Sequence, residues 1–345
     1  MPFKRERERL FANQKILFKN VKKIIFSHPY FVIIILHEYF RNLFPHDDYI
    51  KFRVVNPIKR ILTIQNLLIN TIYSINKFGY YKLDLKKNPD FRNIKKDTGK
   101  VYAQFWKKFS KKENYKAKNF ILERFKNFKF FKKNFFFKKK IIDVGCGGGR
   151  YSNALRLLKA KSVVGIDYSS DAINLAKKNY KFKNLTFKKQ NVLNINYKKN
   201  HFDIVHCNGV LHHTTNLEKG IREIIRICKP NGFIYLYLYG RGGLYWSARK
   251  QMNTLLKTIP QNYSQKILDN IGMPTNRFIF MDNWYVPIEK HSSYHEIVKI
   301  LKSCNVRHLE KLNIGRKTDL ETGLKKFKNS KIIWGEGEIR LLIQK

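Results

Sequence analysis

Apolar positions fall in two textures along the chain. Between residues 140 and 240, short runs rich in Ile and Val alternate with amphipathic stretches. The runs at 140–144, 162–167, 185–190, 202–207 and 232–238 predict strands, and 149–159, 170–179 and 216–228 predict helices. Strands alternating with helices build a mostly parallel, doubly wound α/β sheet with helices on both faces. After residue 238 the rhythm breaks at Tyr239-Gly240-Arg241-Gly242-Gly243, a flexible exit. The segment from about 240 to 290 is too long for a simple connection and predicts a helical insertion after strand five. A helix at 293–303, a strand at 306–313 and a last strand at 338–344 follow.

Residues 1–98 have a different pattern. Apolar positions at 10, 11, 16, 17, 21, 24 and 25 predict an amphipathic helix over 10–26 with a lysine face. Pro29 interrupts it, a second helix is expected over 30–44, and Pro57 opens a third that Gly79 stops. This divides the chain into a helical N-terminal arm, 1–98, and a sheet domain, 99–345. The arm's helices fit either a core-facing role with solvated lysines or contact with a membrane surface. Tyr102, Phe105 and Trp106 fit a segment that closes over a ligand, or one that packs the arm onto the domain. The stretch KNFKFFKKNFFFKKK, residues 126–140, interleaves lysines with phenylalanines. Single-stranded nucleic acid can be held that way, and so can a linker whose rings face the core while its lysines face water.

Charge changes the picture. The 345 residues carry 70 Lys plus Arg against 25 Asp plus Glu, a net +45, which invites a polyanionic partner. The same excess, with abundant Ile, Asn, Phe and Tyr, also fits an AT-rich coding sequence that fills exposed positions with lysine. Hydrophobic residues at 43% support a packed core and argue against a disordered chain. Cys146, Cys207, Cys228 and Cys304 show no CxxC spacing, so neither a zinc site nor a disulfide framework is expected. The longest apolar run of the arm, 30–36, is far short of the roughly 20 residues of a membrane span. The N-terminus mixes both charge signs and does not read as a signal peptide, so a cytoplasmic location is expected.

The chemistry centres on Asp143-Val144-Gly145-Cys146-Gly147-Gly148-Gly149, between the first strand and the first helix of the sheet. Glycines there let the backbone turn sharply and a ligand lie against the main chain. A second acid, Asp167, ends the second strand, where a carboxylate can accept both hydroxyls of a ribose. Asn191-Val192 follows the third strand, and Asn208-Gly209-Val210-Leu211-His212-His213 follows the fourth.

With these motifs the chain resembles the class I S-adenosylmethionine-dependent methyltransferases. The resemblance implies a Rossmann-like sheet of seven strands in the order 3-2-1-4-5-7-6, and S-adenosylmethionine as cofactor. It implies cofactor contacts at Asp143, Gly145, Cys146, Gly147, Gly149, Asp167, Tyr168, Asn191, Val192 and Asn208. The family's adenine position more often carries an acid; the amide of Asn191 can still accept from an amino group. His212 and His213 would border the reacting methyl, as a base or as packing. Tyr102, Trp106, Trp284, Tyr285 and His291 are the candidates for an acceptor pocket. The loop after strand four lacks the Asp/Asn-Pro-Pro-aromatic form of amino-methylating nucleic-acid enzymes, and Cys207 follows His206, not the proline of cytosine-C5 enzymes. The Val-Leu-His-His form resembles the branch that acts on small-molecule, lipid or quinone acceptors. An RNA methyltransferase using the basic surface, and a cofactor-binding module without catalysis, remain as alternatives.

Overall fold

The computed structural model describes residues 4–20, 111–125, 128–129, 131–132, 134–256, 285–312 and 330–345, with Leu62, Gln65, Asn66, Leu68, Ile69 and Tyr73 in a helical stretch before them. The expected helix over 30–44, the aromatics Tyr102, Phe105, Trp106 and Trp284, and most of the insertion lie outside these residues. The chain divides into two compact units, Met1–Phe91 with Ser247–Tyr285, and Arg92–Trp246 with Val286–Lys345.

The second unit contains the sheet. Strand β1, Lys140–Val144, pairs in parallel with β2, Ser162–Asp167, on one side and with β4, Phe202–Asn208, on the other. Beyond β2 lies β3, Leu185–Lys189, and beyond β4 lies β5, Cys228–Tyr239. The last strand, β7, Glu338–Gln344, runs antiparallel between β5 and β6, His308–Lys311. The order is β3-β2-β1-β4-β5-β7-β6, as the resemblance implied. Side chains alternate across a strand, so Ile141 and Ile142, both fully buried, serve opposite faces. Under the Ile141 face pack α2 (Lys111–Phe125), α3 (Arg150–Leu157) and α4 (Ser170–Asn179). Under the Ile142 face pack α5 (Leu217–Ile227) and α7 (Tyr294–Lys302). Helix α1 spans Lys4–Lys19, α6 spans Gly243–Leu256 and α8 spans Ser330–Trp334.

The lysine–phenylalanine stretch resolves in favour of the core. Phe128, Phe135 and Phe136 are buried; Phe135, Phe136 and Tyr235 surround Phe125 with ring centroids 5.1–5.7 Å away, and Phe128 meets Phe135 and Phe233. Buried rings offer no face to a nucleic-acid base, and among the described phenylalanines of the stretch Phe131 is half-buried and Phe137 looks outward. Strand five starts earlier than the sequence suggests. Cys228 already pairs with Phe202, and a register shift intervenes before Phe233 meets Ile204. Asn231, at φ 60°, turns the chain inside this irregularity. A Pro-Asn-Gly turn and a β-bulge have the same local composition, which is why the sequence reads as a turn.

Among the described residues no helix is long and apolar enough to cross a membrane, and no His, Cys, Asp and Glu cluster could hold a metal ion.

Candidate functional site at the carboxyl ends of the strands

Strand β1 hands over to α3 through the glycine turn. Gly145, Gly147 and Gly149 all have positive φ, at 69°, 53° and 84°. A side chain at Gly145 would place its Cβ 2.3 Å from Cγ2 of Val210, which comes from the loop after β4. Close approach of two loops therefore demands glycine here, as well as the left-handed backbone. Gly145→Ala is expected to cost about 2–3 kcal/mol, from left-handed strain and overpacking together. Adding Val210→Ala should return only the overpacking part, and thermal melting of the two variants checks it.

The turn and the second acid meet directly. The Gly147 amide donates to Oδ2 of Asp167 at 2.9 Å, and the Ser169 amide to Oδ1 at 2.9 Å. A carboxylate has about four lone-pair directions, so the pair of oxygens keeps acceptor capacity beyond these bonds. Burial pushes the Asp167 carboxyl above its ordinary range, and the charge of Asp143 adds to this, while the Ser169 and Gly147 amides pull it back. Helix α3 opens on Gly149, which as a glycine supplies no side-chain cap, and a helix start presents main-chain amides. This is a cradle of main-chain donors beside a carboxylate, and it fits the amino acid and ribose of a nucleoside cofactor.

Asp143 takes a different place from the glycines that follow it. It is 2% exposed; Ser152 Oγ donates to its Oδ2 at 2.6 Å, and His206 Nδ1 lies 2.8 Å from its Oδ1. Both oxygens are engaged beneath the turn, so Asp143 joins β1, α3 and β4 from below. His206 stacks on Tyr235 at 5.1 Å and 12°, and its Nε2 has no partner. His206 sits between Val205 and Cys207, where the strand pattern gives a polar residue no separate signal.

Cys146 is buried beside the turn, and burial pushes its thiol well up, with Asp167 and Asp143 adding to the effect. Burial likewise pushes Cys228 up to about 12. These thiols are fillers, not nucleophiles. Tyr168, 54% exposed, follows Asp167 at the rim. The side-chain oxygen of Asn191 accepts from the Leu193 amide at 2.9 Å and holds its own turn, with Val192 half-buried beside it. Asn208 ends β4, and its Oδ1 accepts from the Tyr235 hydroxyl at 3.4 Å.

The two histidines after β4 stand in unlike settings. His212 is fully buried and stacks on Tyr239 at 3.8 Å and 23°. His213 is half-buried, and its Nδ1 donates to the carbonyl of Ile288 at 2.8 Å, which places the proton of the neutral ring on Nδ1. Tyr237 and Trp246 complete an aromatic group around Tyr239, with centroids 5.7 and 4.9 Å away. His291 joins it, 4.5 Å from Trp246, with Nδ1 at the Gly240 carbonyl and Nε2 at the Glu289 carboxylate. Tyr285, half-buried, belongs to the other compact unit. Sequence reasoning passed over Tyr237 and Tyr239. Their every-second-residue spacing in Tyr235-Leu236-Tyr237-Leu238-Tyr239 marks one sheet face, and only the structure shows what that face meets.

Comparison with known proteins shows the family. Residues 137–271 match a family model described as a methyltransferase domain. The ubiquinone biosynthesis O-methyltransferase of Haemophilus ducreyi is 32% identical over 172 residues, which cover 48% of this chain and 72% of that protein. The protein of the same name from Glaesserella parasuis is 32% identical over 117 residues, covering 32% of this chain and 49% of that one. The chain spans about half the length of most of the curated relatives it matches. A solved S-adenosylmethionine dependent methyltransferase from Mesorhizobium loti is 12% identical, with a TM-score of 0.41 over 61% of this chain and 92% of that one. By its sequence match to these relatives and its sheet order, this chain belongs to the class I S-adenosylmethionine-dependent methyltransferases.

Proposed function

We propose that the protein transfers the methyl group of S-adenosylmethionine to a hydroxyl oxygen of a small aromatic or lipid-like acceptor. The observation that carries this reading is the 2.9 Å bond from the Gly147 amide to Asp167, which joins the glycine turn and the ribose acid at one point. The relatives named as O-methyltransferases support oxygen as the accepting atom. When bound, the cofactor supplies an electrophilic methyl group on a sulfonium. Asp167 accepts from the ribose hydroxyls, and the amides at the turn and at the start of α3 face the amino acid end. Tyr168, Asn191 and Val192 border the adenine. Tyr237, half-buried, is the ring of the aromatic group that a flat acceptor or a sulfonium would meet, with the buried Tyr239, His212 and Trp246 behind it. The protein's remaining task is to align the acceptor oxygen, exclude water and take its proton, and His213 is the residue assigned to the proton.

The cofactor half of this reading is tested by calorimetry on the full chain. Wild type binds S-adenosylmethionine, and Asp167→Ala weakens binding ten- to a hundredfold, for loss of charge-assisted hydrogen bonds worth about 1.5–3 kcal/mol. Equal affinity in the two proteins removes the ribose role. No binding by wild type removes the whole reading. Acidity acts on the same carboxyl in two opposed ways. Its raised pKa means that cofactor affinity declines on acidification earlier than an ordinary aspartate would cause. In that window the folded state binds more protons than the unfolded one, so this group's contribution to stability rises as pH falls. The acceptor half is tested with labelled cofactor and fractionated cell extract, where label should enter a small hydroxylated product.

A further inference from the structure

We propose that the amino-terminal edge of the sheet is a docking surface for an anionic lipid bilayer. The strands of a parallel sheet begin at one edge, and here lysines precede each of the first four. Lys138 and Lys139 precede β1, and Lys159 and Lys161 precede β2. Lys181 and Lys183 precede β3, and Lys198 and Lys199 precede β4. All are exposed. Backbone bonds hold the pairs side by side: the Lys138 amide donates to the Lys159 carbonyl at 3.0 Å, and the Lys161 amide to the Lys139 carbonyl at 2.9 Å. With strands about 4.8 Å apart, this row is roughly 14 Å wide. Arg307 before β6 and Lys345 after β7 extend it along the same edge.

Two plain accounts fall short. Lysines placed by composition alone would scatter over the surface. Instead the described turns and loops of the amino edge hold no acid, and the one acid beside them in the sheet, Asp203 at the start of β4, is paired with Lys229 at 2.7 Å; those of the carboxyl edge hold Glu289 and Glu336, with Asp167 at the end of β2, against Arg241 and Lys290. Helix macrodipoles favour cations after α3 and α4, but Lys138, Lys139, Lys198 and Lys199 directly follow no helix.

The occupant is set by the aromatic residues. Phe137 and Phe182, 43% and 45% exposed, stand among the lysines at the starts of β1 and β3. Arg156 covers one face of the Phe182 ring at 3.7 Å, and Lys138 lies over Phe137 at 5.2 Å. Rings whose faces carry cations from their own chain are poor platforms for bases, which bind by stacking. Apolar rings ringed by lysine suit the boundary between headgroups and acyl chains, where both charge and apolar area contribute. The proposed cofactor crevice opens at the opposite edge, so a docked molecule keeps that crevice toward water.

The test is flotation of the full chain with phosphatidylcholine vesicles, with and without phosphatidylglycerol, and gel retention with a structured RNA at the same salt. Wild type should float only with the anionic vesicles and be released by salt. Lys139→Gln, Lys161→Gln, Lys183→Gln and Lys199→Gln together should weaken vesicle binding by about fivefold per lysine, with melting and cofactor affinity unchanged. Lys189→Gln with Lys219→Gln, away from this edge, should change it little. Phe137→Ser with Phe182→Ser should weaken flotation with the anionic vesicles at low salt, by the apolar share of the binding. The proposal is overturned if wild type floats with neutral vesicles, if it retains RNA but does not float, or if the two lysine sets lose binding alike. Cofactor affinity equal on and off the vesicles separates this surface from the catalytic reading.

Discussion

His213→Ala should lower kcat about 10²–10⁴-fold, the range for removing a general base, while KM for the acceptor changes little. The expectation rests on position and tautomer. His213 stands in the loop after β4, and its Nδ1 donates to the Ile288 carbonyl. That bond leaves Nε2 as the proton-accepting nitrogen of the neutral ring. A hydroxyl acceptor must lose a proton as its oxygen gains the methyl group, so a base acts in the slow step and not in ground-state binding. Wild-type kcat should therefore rise with pH below the titration of the base, and the variant should lack that limb. His212→Ala is the internal comparison. His212 is fully buried against Tyr239, so its loss should lower the melting temperature by the cavity it leaves and leave the shape of the pH profile intact. If His213→Ala retains the wild-type kcat and pH profile, the loop only shapes the pocket and the acceptor needs no base.

The two histidines show how far a sequence carries a site. Their place after β4 follows from strand periodicity and the glycine turn, because parallel strands put their carboxyl ends together. The resemblance to the methyltransferases, and not periodicity, implied the seven-strand order, which the structure has. Neither could say which imidazole is buried. The bond to Ile288 spans 75 residues of chain, and no periodicity carries contacts of that range. Asp143 shows the same limit from the other side. A motif acid at the start of a glycine loop reads as a ligand contact, yet its two oxygens turn inward to Ser152 and His206. Alternation marks which strand residues face a core, but a polar side chain in the middle of β4 gives no sign of its partner until β1 lies beside it. Phe128, Phe135 and Phe136 are the converse case. Their composition allowed a binding track, and packing of Phe135 and Phe136 on Phe125, and of Phe128 on Phe135, settled it as core.

The second large effect is expected beneath the glycine turn. His206→Phe keeps a flat ring against Tyr235 and removes the nitrogen that meets Asp143. Asp143, 2% exposed, would then hold a buried carboxylate with Ser152 as its remaining bond. Removing one partner leaves a buried acceptor short of a hydrogen bond, which typically costs about 2–3 kcal/mol. For the sheet unit this corresponds to a fall of about 5–10 °C in melting temperature. Asp143→Asn should be milder, near 1 kcal/mol. The amide oxygen still accepts from Ser152, and the amide nitrogen can donate to Nδ1 of the other imidazole tautomer. His206→Phe combined with Asp143→Leu should recover part of the loss, since no charge is then left in the core. Because Asp143 ties α3 to β4 directly under the turn, cofactor affinity should fall in His206→Phe and persist in Asp143→Asn. If instead Asp143→Asn loses affinity at unchanged stability, the carboxylate itself reaches the ligand, and its bonds to Ser152 and His206 only aim it.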